Sequence, residues 1–316
     1  MKKNIDITTY DPNWPDAFDK EETLIRQALG NNCLEIHHVG STSVPGLSAK
    51  PKIDIIAVVK NGKESIEPLE KSGFIYKGEW NIPCQFGFVK RAENKVNLHL
   101  FEEGHPEIDL NLKFRDYLRT HPQDRDDYAR LKQELLQDES SYLKENSRFA
   151  NYTLRKGDFI RGVLEKSGFD KMRILKCSDN TEWAAAQHFR KIYFFAPNGI
   201  DDPYTWTFDH PDHTHLIFYH GTKIIGYTHL QFWMDQRAAI RIIAITEAKR
   251  NQNAGSRFLA LIEAWLKKLD IKSIHAESRQ SSLTFYLKNG YTEMPFDDPE
   301  SHDSDPNDVP VGKIIH

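Results

Sequence analysis

The seven residues IDIIAVV, Ile53–Val59, set the hardest constraint on this chain: six are apolar and the other is Asp54. Apolar side chains at both odd and even positions leave no face for water. Such a run reads as a buried strand, covered on both sides. Immediately before it lies HHVGSTSVPGLSAKPK, a loop rich in hydroxyls, glycine, proline and lysine. Hydroxyls, backbone amides and ammonium groups are the donors that hold phosphate oxygens, so this loop reads as a phosphate-holding element.

The 316 residues suit two domains better than one core. In the first half, apolar periodicity predicts helices over 14–29, 63–72 and 158–166, and two helical pieces broken near His121–Pro122. Strands are expected at 53–59, 84–90 and 95–101. A boundary is expected at 167–172. The second half opens with a helix at 181–191 and a long loop over 193–214. A hairpin of strands 215–220 and 223–233 turns at Gly221–Thr222. Strand 238–246, helix 254–269, strand 272–278, helix 281–289 and a last strand, Val309–Ile315, complete the pattern. Phe258, Leu261, Ile262, Trp265 and Leu269 are the expected buried face of the long helix. The fold class is α/β (α+β) in two domains, 1–168 and 172–316.

Composition narrows the function classes. A net charge of −4 gives no support to a nucleic-acid-coating role. Three scattered cysteines make neither a zinc pattern nor a disulfide framework and fit a reducing compartment. No apolar run approaches the roughly 20 residues of a membrane span, and the opening MKKNIDITTYDPNW has no apolar segment of a signal peptide. A cytoplasmic protein without a membrane partner is the expectation. His210, His213 and His215, with Asp209 and Asp212, match no rigid metal frame, and a strand beginning at His215 would turn alternate histidines to different faces. The acidic loop 297–308 reads as a solvated loop; the alternative is that it attracts a cationic amine acceptor.

The segment AAIRIIAITEAKRNQNAGSRFLALIEAWL has a strand, a polar turn and an amphipathic helix, which brings free backbone N–H groups to a helix N-terminus. With IHAESRQSSLTFYLKNGY and the ending DVPVGKII, it resembles the GNAT acyltransferase superfamily over about residues 172–316. Arg250, Gly255, Phe285, Tyr286, Lys288, Gly290 and Tyr291 match its signatures. Asn253 stands where that family has a first Gly, often at positive φ, and Asn is the residue other than Gly that best tolerates such a backbone. The resemblance implies an acetyl-CoA donor and direct transfer to an amine of a small-molecule acceptor. It implies a diphosphate turn of Arg250, Asn251, Gln252, Asn253, Ala254, Gly255 and Ser256. It also implies splayed strands, with the pantetheine arm on the backbone of Ile243, Ala244 and Ile245. Tyr286 takes the general-acid position. Glu277 and His229 are the candidate bases, while Glu247 shapes the turn.

The loop HHVGSTSVPGL…KPKIDIIAVV, FRDYLRTHPQDRDDYARLK and YTLRKGDFIRGVL together resemble the GrpB family, a branch of the nucleotidyltransferase superfamily, over about residues 5–166. That resemblance implies a nucleotide or other phosphate-bearing ligand on Gly40 and Ser41. It also implies magnesium held by acids two residues apart on the next strand, with a third acid on a later strand. Asp54 matches the first acid, but Ile56 stands at the second and cannot ligate magnesium. The third is not evident among His99, Glu107 and Asp109. Ser41, Lys50, Lys52, Arg115, Arg119 and Lys156 are the candidate groups for anionic oxygens. Two readings stay open for this half: a magnesium-dependent transferase with reduced metal ligation, or a binding module that kept the fold without the catalysis.

Overall fold

The computed structural model describes residues 6–92, 94–144, 149–299 and 305–315. The chain divides into two compact units, residues 1–171 and 172–316.

The first unit is a mixed sheet with helices. In chain order it runs α1 (Trp14–Leu29), β1 (Cys33–Val39), β2 (Ile53–Val59), α2 (Ile66–Lys71), β3 (Ile75–Gly78), β4 (Phe86–Arg91) and β5 (Lys95–Glu102). Then come α3 (Pro106–Thr120), α4 (Pro122–Gln137), α5 (Asn151–Leu154) and α6 (Gly157–Lys166). The strand order is β1-β2-β5-β4-β3. Only β2 and β5 pair in parallel, Asp54 opposite Asn97 and Ile56 opposite His99. The double burial expected of β2 is there. One face, Ile53, Ile55, Ala57 and Val59, packs into a core with Trp14, Ile25 and Leu29 of α1. The other, Ile56 and Val58, packs with Val39 and Phe101. Asp54 therefore sits where the second face meets the loop after β1.

Two strands of this unit differ from the expectation. β1 covers Cys33–Val39, so the first residues assigned to the loop, His37 and His38, are sheet residues paired with Ile56 and Ile55. β3 is a short edge strand with half its residues exposed.

The second unit comprises β6 (Met172–Lys176), α7 (Asn180–Arg190), β7 (His213–His220), β8 (Lys223–Phe232), β9 (Arg237–Ile245) and α8 (Ala254–Lys268). β10 (Ser273–Ser278), α9 (Gln280–Lys288), β11 (Thr292–Glu293) and β12 (Val309–Ile314) follow. Seven strands run in the order β11-β12-β10-β9-β8-β7-β6. A capping box, Asp179 to Glu182, starts α7. The buried face of α8 is Ala254, Phe258, Leu259, Ile262, Trp265 and Leu266. This corrects the expected stripe: Leu259 and Leu266 point inward, and Leu269 lies beyond the helix, 41% exposed. Among the described residues no helix is long and apolar enough to cross a membrane.

Candidate active site

The parallel pairing of β9 and β10 covers only three positions, Ser273–Arg237, Ile274–Ala238 and His275–Ala239. Beyond Ala239 the strands part. On its other side β9 stays paired with β8 as far as Ile245, with a bulge that sets His229 opposite Ile242 and Leu230 opposite Ile240, leaving Arg241 as the extra residue. From Ile240 onward the backbone groups of β9 that point toward β10 have no strand to meet. A cavity of about 1300 Å³ opens there.

Most of the residues singled out in this half line that one cavity: Ile243, Ala244, Ile245, Arg250, Asn251, Asn253, Ala254, Gly255, Ser256, Glu277, Tyr286 and His229. Gln252 does not line it, and its Nε2 donates to the Ala248 carbonyl at 2.8 Å. The turn is built on two left-handed asparagines, Asn251 at φ 58° and Asn253 at φ 61°. Asn253 precedes the first residue of α8 and makes no side-chain cap. Gly255 packs tightly, since a Cβ there would lie 3.1 Å from the Phe285 ring. Arg250 lies across Tyr193, its guanidinium carbon 5.0 Å from the ring centroid.

Tyr286 of α9 is 5% exposed, and its hydroxyl makes no hydrogen bond among the described residues. Burial pushes the phenol pKa up, so it remains a proton donor. Glu277, half-buried on β10, is held above the usual carboxylate range by burial and then by Asp308, against the opposing Arg241. Arg241 is itself taken by Asp298, 2.5 Å away, and by Gln231.

His229 lies at the cavity wall with both ring nitrogens engaged. Arg190, fully buried, is paired with Asp202 at 2.5 and 2.7 Å and donates to His229 Nδ1 at 3.2 Å. With Nδ1 accepting, the neutral ring carries its proton on Nε2 and donates to His213 Nδ1 at 2.8 Å. Arg190 also donates to the Tyr227 hydroxyl, which donates to His215 Nδ1 at 2.7 Å, and His215 Nε2 donates to the Thr207 carbonyl. Burial pushes His229 far down, and burial holds His215 down to about 3, so neither protonates near neutral pH. This leaves His229 no lone pair for a substrate proton, and of the two candidate bases the geometry favours Glu277.

The strand β7 begins at His213, not His215. His213 and His215 therefore share one face instead of alternating, and both lie against His229, His215 stacked and His213 tilted. The Nδ1 atoms of both serve the Arg190 network through His229 and Tyr227. Among the described residues, no group of three His, Cys, Asp or Glu side chains is arranged to hold a metal ion. Of the acidic loop 297–308, residues 300–304 lie outside the described residues.

In the first unit Gly40 adopts φ 69°, and a Cβ there would lie 2.6 Å from Asp54 Oδ2, so loop and carboxylate meet only if this residue is glycine. Asp54 accepts from Asn97 Nδ2 at 2.9 Å and lies 3.9 Å from Lys52 Nζ. Ser41 Oγ accepts from Lys132 Nζ at 3.3 Å. Arg115 donates to the His38 carbonyl at the end of β1 and to the Asp116 carboxylate, and Arg119 donates twice to the Ser43 carbonyl of the loop. They hold the loop's shape and line a smaller cavity of about 320 Å³ with His38.

A model of the GrpB protein family matches residues 4–166, more than half of the chain. The chain belongs to the GrpB family. A UPF0157 protein of Halalkalibacterium halodurans is 45% identical over 170 residues, which are 52% of this chain and 83% of that protein. UPF0157 protein YqkA of Bacillus subtilis is 36% identical over 138 residues, 42% of this chain and 40% of that protein. The crystal structure of GrpB from Enterococcus faecalis is 30% identical, with 51% of this chain and 96% of that one covered and a TM-score of 0.45. A model of the acetyltransferase (GNAT) family matches residues 180–291. The chain is a fusion of a GrpB domain and a GNAT domain of the acyltransferase class.

The GrpB domain does not fit a pair of magnesium ions. Ile56 is fully buried in the apolar cluster with Val39, Val58 and Phe101. The strand beside Asp54 supplies Asn97 and His99, an amide and an imidazole that burial keeps neutral, in place of acids. Glu107 and Asp109 belong to the first turn of α3. One carboxylate, already bonded to an amide, is what remains.

Sequence reasoning missed Arg190, Asp202, Arg241 and Lys132. Lys132 left a trace: it falls four residues after Tyr128 and three before Leu135, on the buried stripe of α4, where a charge needs a reason.

Proposed function

We propose that the GNAT domain transfers an acetyl group from acetyl-CoA to a primary amine of a small cationic acceptor. One observation carries the reading: the parted strands β9 and β10 open the β9 backbone into the same cavity as the Arg250–Ser256 turn and Tyr286. The backbone N–H groups of the turn and Arg250 are suited to a diphosphate. The unpaired edge of β9, Ile243–Ile245, is suited to an extended amide-bearing arm.

The bound thioester supplies an activated acyl carbon and a thiolate leaving group. Backbone N–H groups at the β9 edge polarise the carbonyl. Glu277, its pKa raised by burial, receives the proton the amine must lose, directly or through one water. Tyr286, kept protonated by burial, gives its proton to the departing sulfur. Around Glu277 the acids Asp298 and Asp308 outnumber Arg241, which favours a cationic acceptor.

The test is Tyr286→Phe. Removing an unpaired hydroxyl opens no cavity and strands no partner, so folding and CoA affinity stay as they are. Turnover falls by about 10²-fold, the lower end of what a positioned general acid contributes. An unaltered kcat removes Tyr286 from the mechanism.

A further inference from the structure

The GrpB domain lacks the acids for metal, yet its loop is surrounded by ammonium groups. Lys50 Nζ lies 4.4 Å from the centroid of the Tyr152 ring, and Lys156 Nζ lies 4.7 Å from the same centroid. The two nitrogens are therefore within about 9 Å of each other. Lys132, 2% exposed, reaches Ser41 Oγ and the Ser48 carbonyl, with its Nζ 4.7 Å over Tyr128. Lys52 stands beside Asp54.

Three stretches of the chain thus bring four lysines around one loop: the segment before β2 with Lys50 and Lys52, α4 with Lys132, and the residue just before α6, Lys156. Among the described residues Lys50, Lys132 and Lys156 pair with no carboxylate. Among the described residues Asp54 is the acid that acts on Lys50 and Lys156.

That arrangement is costly without a further anion. Two unit charges about 9 Å apart repel by about 2 kcal/mol at an effective dielectric constant of 20. Burial and mutual repulsion hold Lys156 down to about 8, burial holds Lys132 down to about 7, and Lys50 is lowered too. The aromatic faces of Tyr128 and Tyr152 offset part of this, but they supply no net negative charge. Four lysines that an incoming anion would draw toward the ammonium form, beside Asp54, match a chain of two or three phosphates better than a single phosphate. The Asp54 and Lys52 side chains are 28% and 31% exposed, so such an anion can reach them from solvent.

We propose that the GrpB domain binds a polyphosphate chain, free or as part of a nucleotide, through Lys50, Lys52, Lys132 and Lys156 beside Ser41, with these ammonium groups in the place of metal ions. This inference is independent of the acyltransferase reading.

The test uses the full chain without CoA, and each titration is repeated on Arg250→Gln so that heat from the turn at Arg250–Ser256 is recognised and subtracted. Inorganic tripolyphosphate and ATP are added separately, each in EDTA and again with magnesium, and heat is measured. Binding of tripolyphosphate in EDTA is expected, with no gain from magnesium. Lys50→Gln and Lys156→Gln each weaken it about tenfold, the worth of one charge-assisted hydrogen bond. Lys156→Arg, which keeps the charge, restores it and guards against misfolding as the cause. Asp54→Asn is the sharpest arm. It removes the opposing charge of Asp54 and tightens binding, whereas a metal site would lose its ligand and fail. ATP binding no more tightly than tripolyphosphate identifies the phosphate chain as the recognised part. Binding of ATP alone, a requirement for magnesium, loss on Asp54→Asn, indifference to both Gln variants, or no heat at millimolar ligand overturns the proposal.

Discussion

Asn253 allows the backbone of the diphosphate turn to be tested apart from its chemistry. It adopts φ 61° and ψ 9° and its side chain caps nothing, so its contribution is tolerance of a left-handed backbone. Alanine at such a position costs roughly 1–2 kcal/mol more than in the right-handed region, while glycine pays no steric penalty. Asparagine sits between them. Asn253→Ala is therefore expected to destabilise the GNAT domain by about 1 kcal/mol and Asn253→Val, β-branched, by about 2 kcal/mol. Asn253→Gly stays within a few tenths, its easier turn offset by the freer unfolded chain. The assay is urea unfolding of the full chain with and without CoA. The transition that CoA moves to higher urea belongs to this domain. CoA affinity follows the same order, because a turn that relaxes out of the left-handed region turns its amides away. A Val variant as stable as the parent, or a Gly variant as weakened as Ala, would refute the reasoning.

Two further outcomes are expected. Glu277 has a pKa raised above the ordinary carboxylate value of 4.5, so its basic form accumulates and kcat/KM rises as pH climbs through that raised value. Glu277→Gln removes the acidic limb of the profile, and a limb that persists assigns the base elsewhere. Asp202→Asn leaves the fully buried Arg190 without its counter-charge and should cost about 3–5 kcal/mol, read as a lower midpoint of the CoA-sensitive transition. A loss under about 0.5 kcal/mol, the size of an ordinary surface change, would mean that Arg190 is not held by this pair.

What was legible in the chain follows its periodicities. IDIIAVV marked β2 because a doubly buried strand has no polar face to disguise it. β1 stayed hidden because CLEIHHV, lying against the loop, spends three of seven positions on Glu35, His37 and His38. Helix α8 was visible and Phe258, Ile262 and Trp265 of its expected face are buried, but Leu259 and Leu266 are buried where Leu261 and Leu269 were expected. Leu259 and Leu261 are both apolar, and only the packing of the sheet decides between them. At the candidate site, the turn and Tyr286 were legible because their spacing is local. The Arg190–Asp202 pair, the spent lone pairs of His229 and the lysines around Tyr152 were not. Arg190 meets Asp202 and His229 across 12 and 39 positions and Lys50 meets Tyr152 across about 100, which no window on the chain brings together.

The short pairing of β9 and β10 has a consequence for folding as well as catalysis. A sheet normally saturates its own hydrogen bonds, but this one stops after three rungs and leaves a seam. Whatever threads the seam finishes the sheet. On the acyltransferase reading proposed above, the molecule that brings the acyl group is also a surrogate strand, and the durability of this half of the chain is then tied to the supply of its own donor.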